Sequence, residues 1–512
     1  MSKNYYITTP IYYVNDRPHI GHAYTSLACD ISARFKRLDG YKVKFLTGTD
    51  EHGQKVEKSA RKHNIEPQIF TNQVSLHFRE LAKLMNFSND DFIRTTEIRH
   101  QKTAQLFWQK LTNNGYIYKD KYAGWYAVRD EAFYQEDELI DGKAPSGAEV
   151  EWMEEESYFF KLSKFQDRLL EFYEQNPDFI APKTRQNEVI SFVRGGKEYQ
   201  AGALKDLSIS RTSFSWGIKV PDDEQHVIYV WLDALTNYLS AIDFSEPEKF
   251  NQEQFWPCNL HMVGKDILRF HAVYWPAFLM AANLPLPQKI FAHGWWTNEG
   301  EKISKSLGNV INPLELINEF GLDQLRFFLM RQVQFGNDGN FSKEELKRRC
   351  NSDLANNFGN LVQRVLTMIQ KNCNAAIPPY QIVEKSDQLL LDKAYSLIEK
   401  LRKAIDQQDY SNYLAEIIAL ADKANEYIDN EAPWQLKKTD LERMYSVLYV
   451  LAETIRVTAI YLLPVIPESA EQTLNFLAVQ KQDFSFSRVD PKNALKTSTP
   501  LPPASIIFPR LL

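Results

Sequence analysis

The fold is decided by residues 5–24, which read Tyr5-Tyr6-Ile7-Thr8-Thr9-Pro10-Ile11-Tyr12-Tyr13-Val14-Asn15-Asp16-Arg17-Pro18-His19-Ile20-Gly21-His22-Ala23-Tyr24. The first half of this stretch is rich in β-branched and aromatic residues, which is typical of a strand. From Ile20 to Leu38 apolar residues recur every three or four positions, and Pro18 suits a first helical turn. The sequence therefore predicts a strand, a turn and a helix start.

His19 and His22 fall on one face of this predicted helix start. Free backbone N–H groups and the positive end of the helix dipole lie in the same turn, and Gly21 adds no side chain that would block a ligand. A phosphate group fits such a place. Two surface histidines at a helix start give the same pattern, so the motif alone leaves both interpretations open.

The composition indicates a large protein without a membrane span. A chain of 512 residues corresponds to roughly three domains, and a net charge of −6 still allows a local basic surface for nucleic acid. The N-terminus has no apolar signal core and no apolar run approaches ~20 residues, so we expect a cytoplasmic protein with no membrane contact. The four cysteines include no Cys-x-x-Cys, and we expect them to be buried and inert.

The next elements predict a parallel sheet. Residues 43–47 are strand-like, Gly48–Gly53 is predicted as a turn, and residues 54–63 as a helix. Ligands bind beyond the carboxyl ends of such strands, which makes Asp50 a candidate to hold a substrate cation. An Asp that caps the following helix would look the same.

Changes in composition and in apolar periodicity along the chain predict an α/β protein with an insertion, followed by an all-α region. The predicted segments are 1–115 and 226–349 for the sheet domain, 116–225 for the insertion, and 350–512 for the helices. Aromatic residues of the second sheet segment are typical of core but together can line an apolar pocket beside His271 and Asp266. These aromatics are Trp231, Tyr238, Phe270, Tyr274 and Trp275.

Two further patterns suit a phosphate-rich ligand. Residues 289–296 are predicted as a strand, and in the loop that follows, Lys302 and Lys305 flank small hydroxyl residues and can neutralise a polyphosphate, although a solvated loop has the same composition. In the helical region Asn356, Asn360 and Arg364 form a polar stripe that can read unpaired bases or merely face water. Helices are expected near residues 386–406, 411–430 and 440–463, and Trp434 could stack on a base. Nearby cations could bind phosphates, namely Lys343, Lys347, Arg348, Arg349, Lys437 and Lys438.

His19-Ile20-Gly21-His22 and Lys302-Ile303-Ser304-Lys305-Ser306 together resemble the two signature motifs of class I aminoacyl-tRNA synthetases. Within that class the chain resembles the methionyl-tRNA synthetase family over nearly its whole length. The stretches that carry this likeness are residues 8–15, 48–53, 230–234, 293–295 and 432–434.

The resemblance implies a Rossmann-like catalytic domain with an inserted connective domain, followed by a helical-bundle anticodon-binding domain. It implies ATP-dependent attachment of L-methionine to tRNA(Met), the initiator included, through a methionyl-adenylate, with ATP accompanied by Mg²⁺. The implied catalytic residues are His19, His22, Lys302 and Lys305, and the implied ATP contacts add Gly21, Asp266, His293 and Gly294. The implied methionine pocket is Ile11, Tyr13, Asp50, Trp231, Ala234, Tyr238, Ile267 and His271. The implied anticodon readers are Asn356, Asn360, Arg364, Pro433 and Trp434.

The chain departs from the family pattern in two places. Ile303 stands where methionine is usual, a volume-conserving change. Residues 126–131 and 144–147 lack the cysteines of zinc-binding relatives, so we expect no structural zinc. The chain also ends soon after the helical region, without the extra C-terminal module of dimeric relatives, and we expect a monomer.

Three rival interpretations remain. Synthetases for leucine, isoleucine or valine carry a much larger insertion, and the cysteine enzyme resembles a zinc-thiolate binder. A nucleotidylyltransferase would share His-x-x-His and a lysine loop but would have no use for the stripe of Asn356, Asn360 and Arg364. A catalytically inactive RNA-binding paralogue is disfavoured because both signature motifs are intact.

Overall fold

The computed structural model describes residues 3–14, 17–127, 132–134, 136–246, 248, 255–298, 301–302 and 311–512. The chain forms two compact units. We call Asn4–Pro18 with Lys44–His293 the sheet unit, and Met1–Lys3, His19–Val43 with Gly294–Leu512 the helical unit. The division separates His293 from Gly294, inside the predicted segment 226–349. Helix α1 (Ile20–Leu38) belongs to the helical unit.

The seven strands of the largest described sheet are β1 (Asn4–Thr8), β2 (Tyr12–Tyr13), β3 (Lys42–Asp50), β4 (Asp91–Arg94), β8 (Ile180–Ala181), β13 (Leu260–Gly264) and β14 (Ile290–His293). Their order is β2-β3-β1-β13-β14-β8, and β4 also pairs with β3. The pairs of β3 with β2 and β4, and those joining β1, β13, β14 and β8, are parallel. The predicted parallel sheet is confirmed.

Three details of the sheet differ from the prediction. The predicted turn at Gly48 is wrong, because β3 continues to Asp50. Gly48 allows this close pairing, since a Cβ there would lie 2.1 Å from the Ile93 carbonyl oxygen. β8 comes from the predicted insertion, and residues 226–228 lie in an antiparallel sheet rather than resuming the parallel one.

The sheet unit also holds two smaller sheets. One has the order β6-β5-β7-β9, from β5 (Ile117–Ala127), β6 (Ala132–Tyr134), β7 (Glu151–Phe160) and β9 (Leu207–Ser208). The other has the order β10-β12-β11, from β10 (Ser210–Arg211), β11 (Lys219–Val220) and β12 (Asp223–Ile228). The helices are α2 (Gln54–Lys62), α3 (Pro67–Leu84), α4 (Ile98–Asn113), α5 (Gln166–Gln175), α6 (Lys183–Arg194), α7 (Val230–Ser240) and α8 (Trp275–Ala281). A π-helical segment, Phe270–Tyr274, precedes α8.

In its described residues the helical unit contains one small sheet of order β16-β15-β17, from β15 (Trp296–Asn298), β16 (Glu301–Lys302) and β17 (Gly339–Phe341). The predicted strand 289–296 is therefore two strands. The remaining helices are α9 (Pro313–Phe320), α10 (Leu322–Arg331), α11 (Lys343–Cys350), α12 (Asn360–Asn372), α13 (Lys385–Ser396), α14 (Ile398–Asp406), α15 (Tyr410–Glu431), α16 (Pro433–Thr439), α17 (Leu441–Leu462) and α18 (Pro467–Phe476). The predicted helical region from residue 350 is confirmed, with α13 and α14 in place of one helix.

Buried polar contacts fix α1 within the helical unit. The Arg326 guanidinium donates to the Asp30 carboxylate at 2.7 Å and to the Val465 carbonyl at 2.7 Å. Both members of this ion pair are fully buried, and a buried charge is tolerated only when it is paired and hydrogen-bonded. Ser32 and Tyr410 share a further hydrogen bond of 2.7 Å. The helix that follows the first histidine motif is therefore rigidly anchored.

Helix α17 is long and apolar enough to cross a membrane, but 94% of its apolar window is buried inside the protein, as in a core helix. The four cysteines are free thiols; Cys29, Cys258 and Cys350 are buried as predicted, whereas Cys373 is only half-buried. Burial raises the pKa of Cys350 to about 12 and that of Cys373 to about 11. These two thiols therefore stay protonated and unreactive near neutral pH.

Candidate functional site

Three predicted pocket residues lie on one face of helix α7. Trp231, Ala234 and Tyr238 are spaced three and four residues apart, so they share this face. Ala234 and Tyr238 are buried, and the half-buried Trp231 stacks on Phe270 with 3.5 Å between ring centroids. Phe270 is one of the aromatics predicted to line an apolar pocket but has no role implied by the family motifs, and this stack places it beside Trp231.

A hydrogen-bond chain joins Tyr238 to two further pocket residues. The His271 Nδ1 lies 3.0 Å from the Ile267 carbonyl oxygen, and the His271 Nε2 lies 2.7 Å from the Tyr238 hydroxyl. A carbonyl only accepts, so Nδ1 carries the hydrogen. Burial lowers the pKa of His271 to about 4, which keeps the ring neutral, and Nε2 then accepts from Tyr238. The hydroxyl hydrogen of Tyr238 is therefore committed to His271.

Tyr13 and Asp50 lie side by side on neighbouring strands, as register partners between β2 and β3. Asp50 is buried, and its carbonyl accepts from the Val14 backbone at 3.1 Å. Ile11 packs against the same apolar cluster as Trp231 and Ile267. All eight predicted methionine residues thus lie in the sheet unit, at strand ends or on adjoining helices.

Asp266 and His293 meet at the carboxyl ends of two neighbouring strands. Gly264 is the register partner of His293 across β13 and β14. A Cβ on Gly264 would lie 2.5 Å from the Asp266 Oδ1 and 4.0 Å from the His293 Cε1, so the exposed carboxylate folds back beside the buried imidazole. This is the edge of a parallel sheet at which ligands bind.

His19 and His22 cap the start of α1. The His19 Nδ1 accepts from the Gly21 backbone N–H at 3.0 Å, and the His22 Nδ1 accepts from the His19 backbone N–H at 3.0 Å. A backbone N–H is always a donor, so each Nδ1 must be unprotonated and Nε2 carries the ring hydrogen. Pro18 precedes the cap, so its predicted place in the first turn is wrong.

Burial favours the neutral form of both His19 and His22. It lowers the pKa of His19, and it lowers the pKa of His22 well below its ordinary value, where the charge of His19 adds to the effect. A Cβ on Gly21 would lie 2.9 Å from the His19 Cε1, so glycine is required by the cap itself. The two neutral rings can offer hydrogen-bond donors to a phosphate at a helix N-terminus.

We call the segment that carries Lys302 and Lys305 the lysine loop. Of these two lysines, only Lys302 is among the described residues. The backbone of Lys302 pairs with Thr297 between β16 and β15, while Lys305 and the other residues of 303–310 lie outside the described residues. Gly294 fits close to the chain, since a Cβ there would lie 2.4 Å from the Asn337 backbone. The small sheet therefore fixes where the loop begins.

The predicted RNA-reading residues lie on the helical unit. Asn356, in a π-helical segment (Asn351–Gly359), and Asn360 are exposed and line a cavity of about 340 Å³. Arg364 pairs with Asp429 at 2.8 Å, and its guanidinium carbon lies 5.4 Å from the centroid of the Trp434 ring. Trp434 is 42% exposed, and Pro433 is buried in the first turn of α16. The two amides line one cavity, and the guanidinium lies over the indole.

Sequence reasoning missed two groups of residues near these surfaces. Gln363, Ile506 and Phe508 also line the cavity beside Asn356. Phe508 packs 3.3 Å from where a Gly359 Cβ would be, a tail-to-helix contact that no local pattern reveals. The other group is Asp233 with His52 and His100, which form a buried cluster near the pocket. His52 and Asp233 stand inside stretches that carry the family resemblance and His100 does not, so their pairing is visible only in the fold.

Among the described residues, no three His, Cys, Asp or Glu side chains lie together as a metal site would require. In the described part of the insertion, Ala127, Ala144 and Ala148 pack together as a small buried cluster with Tyr134 and Val150. An alanine methyl offers no ligand atom to a metal ion.

Two family models match most of the chain. One, described as tRNA synthetases class I (M), matches residues 5–151 and 137–366, and the other, described as the anticodon binding domain of methionyl tRNA ligase, matches residues 377–511. Together with the parallel sheet and its histidine and lysine motifs, they define a class I aminoacyl-tRNA synthetase. The predicted α/β catalytic domain with a helical anticodon-binding domain is confirmed.

Full-length relatives narrow this class. The chain is 58% identical over 514 residues to the methionine–tRNA ligase of Rickettsia conorii, covering 100% of both chains, and 52% identical to that of Rhizobium meliloti, covering 99% of this chain and 98% of the other. The solved Mycobacterium tuberculosis methionyl-tRNA synthetase in complex with methionyl-adenylate superimposes with a TM-score of 0.95 at 47% identity, covering 99% of this chain and 100% of that one. The chain belongs to the methionyl-tRNA synthetase family.

Proposed function

We propose that this chain attaches L-methionine to tRNA(Met), the initiator included, in two steps. The methionine carboxylate attacks the α-phosphate of ATP and releases pyrophosphate, and a hydroxyl of the tRNA 3′-terminal ribose then takes the methionyl group and releases AMP. The observation that carries the proposal is the buried chain from Tyr238 through His271 to Ile267, beside the stack of Trp231 and Phe270. Aromatic rings contact a thioether favourably, which suits the methionine side chain.

We assign the two ends of methionine to different elements. The Asp50 carboxylate pairs with the amino group, Trp231, Tyr238 and Ile267 enclose the thioether, and Ile11, Tyr13, Ala234 and His271 complete the pocket. This division follows the family motifs and agrees with the burial of Asp50 at a strand end. One methylene in an apolar pocket is worth only ~1–3 kcal/mol, so homocysteine should be activated to a measurable extent.

Catalysis consists of positioning and charge stabilisation, without a protein nucleophile. His19 and His22 donate hydrogen bonds to the ATP phosphates, beside Gly21, and Lys302 and Lys305 stabilise the departing pyrophosphate. Asp266, His293 and Gly294 contact the nucleotide. Mg²⁺ bound together with ATP would neutralise part of the charge on the phosphates.

We further propose that the anticodon is read by Asn356, Asn360, Arg364, Pro433 and Trp434. The exposed amides supply hydrogen bonds to base edges, and Trp434 supplies a stacking surface. We place the catalytic domain in 1–115 and 226–349, the connective domain in 116–225 and the anticodon-binding domain in 350–512. The protein is proposed to act in the cytoplasm as a monomer, which light scattering after size-exclusion chromatography checks directly.

ATP–pyrophosphate exchange, tested with each amino acid in turn, decides the substrate. Methionine should give the strongest signal, and a signal with leucine but none with methionine would overturn the proposal. Lys305→Ala should lower kcat far more than it weakens methionine binding, because the lysine loop acts mainly on the transition state. Unchanged single-turnover adenylation in that variant would remove Lys305 from the mechanism.

A further inference from the structure

A carboxylate on α7 holds two histidines from other parts of the sheet unit. The Asp233 Oδ2 lies 2.6 Å from the His52 Nδ1, and its Oδ1 lies 2.6 Å from the His100 Nε2. Asp233 and His100 are completely buried, and His52 is 4% exposed. A polar cluster at this depth is stable only while every partner is present.

The direction of these hydrogen bonds follows from the groups involved. An ionised carboxylate only accepts, so the His52 Nδ1 and the His100 Nε2 each carry a hydrogen toward Asp233. Burial alone would raise the pKa of Asp233, but the charges and hydrogen bonds of His52 and His100 outweigh it and lower the pKa, so the carboxylate stays ionised. The far nitrogen of His100 lies 2.9 Å from the Ser240 Oγ, which ties the cluster to the end of α7.

The segment that contains Asp50 is held firmly on its other side as well. The Glu51 carboxylate accepts from the Arg94 Nε at 2.7 Å and from the Thr96 hydroxyl at 2.6 Å. The Trp216 indole N–H donates to the Glu51 carbonyl at 2.6 Å. His52 then bonds to α7 through Asp233. Glu51 and His52, directly after Asp50, are thus tied to β4 through Arg94, to Trp216, and to α7 through Asp233.

This placement matters because α7 also carries Trp231 and Ala234. We propose that Asp233 is a positioning residue for methionine recognition, which fixes the separation between Asp50 and the α7 face of the pocket by bridging His52 and His100. The inference rests on the proposed roles of Asp50 at the amino group and of Trp231 at the thioether. A single substrate spans both elements, so their relative placement decides whether both ends are bound together.

Asp233→Asn breaks this bridge with almost no change in shape. The amide has one accepting oxygen and one donating nitrogen, so one of the two histidine N–H groups would face a donor. The KM for methionine in ATP–pyrophosphate exchange should rise roughly tenfold, as expected for one unpaired buried group, while the KM for ATP stays unchanged. A merely structural carboxylate would instead lower the amount of folded enzyme and leave the KM for methionine alone.

Two alcohol inhibitors separate positioning from general damage. Methioninol carries the amino group and the thioether, and 4-(methylthio)butan-1-ol differs from it only in lacking the amino group. The wild-type enzyme should bind methioninol more tightly, and Asp233→Asn should reduce that preference roughly tenfold by spoiling the amino contact. If the wild-type preference is present and Asp233→Asn retains it, the positioning role is wrong. If the wild type shows no preference, the proposed role of Asp50 fails instead.

Variants of His52 test the same bridge from the other side, and decide the matter if Asp233→Asn does not fold. His52→Leu removes the bond and should lose the preference for methioninol, whereas His52→Asn returns an N–H donor near the Nδ1 position and should restore it. Equal preference in both variants would overturn the proposal. Asp387→Asn is the matched control, because Asp387 is a buried carboxylate of the helical unit bonded to Arg443 and Tyr427. It should lower the Tm without changing the KM for methionine.

Discussion

The methionine pocket and the anticodon surface are built in opposite ways. The pocket residues come from positions between Ile11 and His271, are buried or half-buried, and include the hydrogen-bonded pair of Tyr238 and His271. Asn356, Asn360 and Arg364 come from one helical stretch and face solvent, wholly or in part. Removal of a pocket group leaves a buried partner unpaired, whereas water replaces a lost partner on the exposed helix. Substitutions in the pocket should therefore have coupled effects on methionine binding, whereas substitutions on the anticodon surface should have separate effects on RNA binding.

The strongest test of this contrast is Asp50→Asn. Loss of a buried charge partner costs about 2–5 kcal/mol, so kcat/KM for methionine in ATP–pyrophosphate exchange should fall roughly a hundredfold or more. Binding of an isolated anticodon stem-loop should not change. A loss of less than about threefold in exchange would show that this carboxylate does not hold the amino group.

The second largest difference between the two regions should be their response to acid, because a buried histidine lies in the pocket. The folded pKa of His271 is about 4 against an ordinary 6.5, so the unfolded chain binds more protons between these values and stability rises with pH across this window. This contribution is complete above pH 6.5 and is lost as the pH falls to 4, a change of about 3 kcal/mol in the free energy of unfolding. Denaturant titrations from pH 7.5 to 4.5 measure it.

His271→Gln is the control and should reduce that pH dependence by the His271 share, while the rest persists because burial also lowers the pKa of His19, His22 and His261. All ten histidines of the chain lie at or before His293. Anticodon stem-loop binding should therefore stay level between pH 7.5 and 5.5, where no other ordinary side chain of that surface changes charge. A steep loss of stem-loop binding in this range would contradict the separation of the two surfaces.

Trp434→Ala tests the exposed surface alone. Stacking of one base on an aromatic ring is worth about 1–3 kcal/mol, so the Kd for the stem-loop should rise roughly tenfold while methionine exchange is unaffected. Trp152→Ala is the matched control, because that tryptophan is 57% exposed in the sheet unit. Equal effects of the two substitutions would mean that any exposed tryptophan matters, and not this one.

Asp429→Asn should have the smallest effect. Its carboxylate is 62% exposed and pairs with Arg364, so the substitution releases a cation without leaving a buried group unpaired. The stem-loop should bind no more than about threefold more tightly, and less so in high salt. The contrast with Asp50→Asn, the same change at a buried site, measures directly what burial adds.

Local periodicity accounts for what could be predicted from the sequence. The spacing from Ile20 onward predicted α1, and alternating strands and helices predicted the parallel sheet, because such patterns depend only on neighbours in the chain. The predicted end of the second strand was wrong because Gly48 permits a close approach to Ile93 that only the paired strand makes visible. Strand ends depend on partners, and partners are distant in sequence.

The candidate site shows the same limit more sharply. Asp233 pairs with residues that precede it by 133 and 181 positions, and no spacing rule connects them. The segment Asn351–Gly359 is π-helical and has a different number of residues per turn from an α-helix. The α-helical spacing assumed for Asn356 and Asn360 therefore does not hold through this segment. The residue types were visible in the sequence, but the hydrogen bonds that orient them were not.

The histidine cap of α1 has a consequence for the entropy of ligand binding. Each Nδ1 is already engaged by backbone at the helix start, so neither ring is free to turn before a phosphate arrives. Ordering a free side chain costs about 0.5–1.5 kcal/mol, and these two rings have largely given up that freedom during folding. The two histidines are three residues apart at the start of α1, and their backbone hydrogen bonds fix the ring orientations. A ligand at this helix start therefore meets Nε2–H donors that are oriented before it binds.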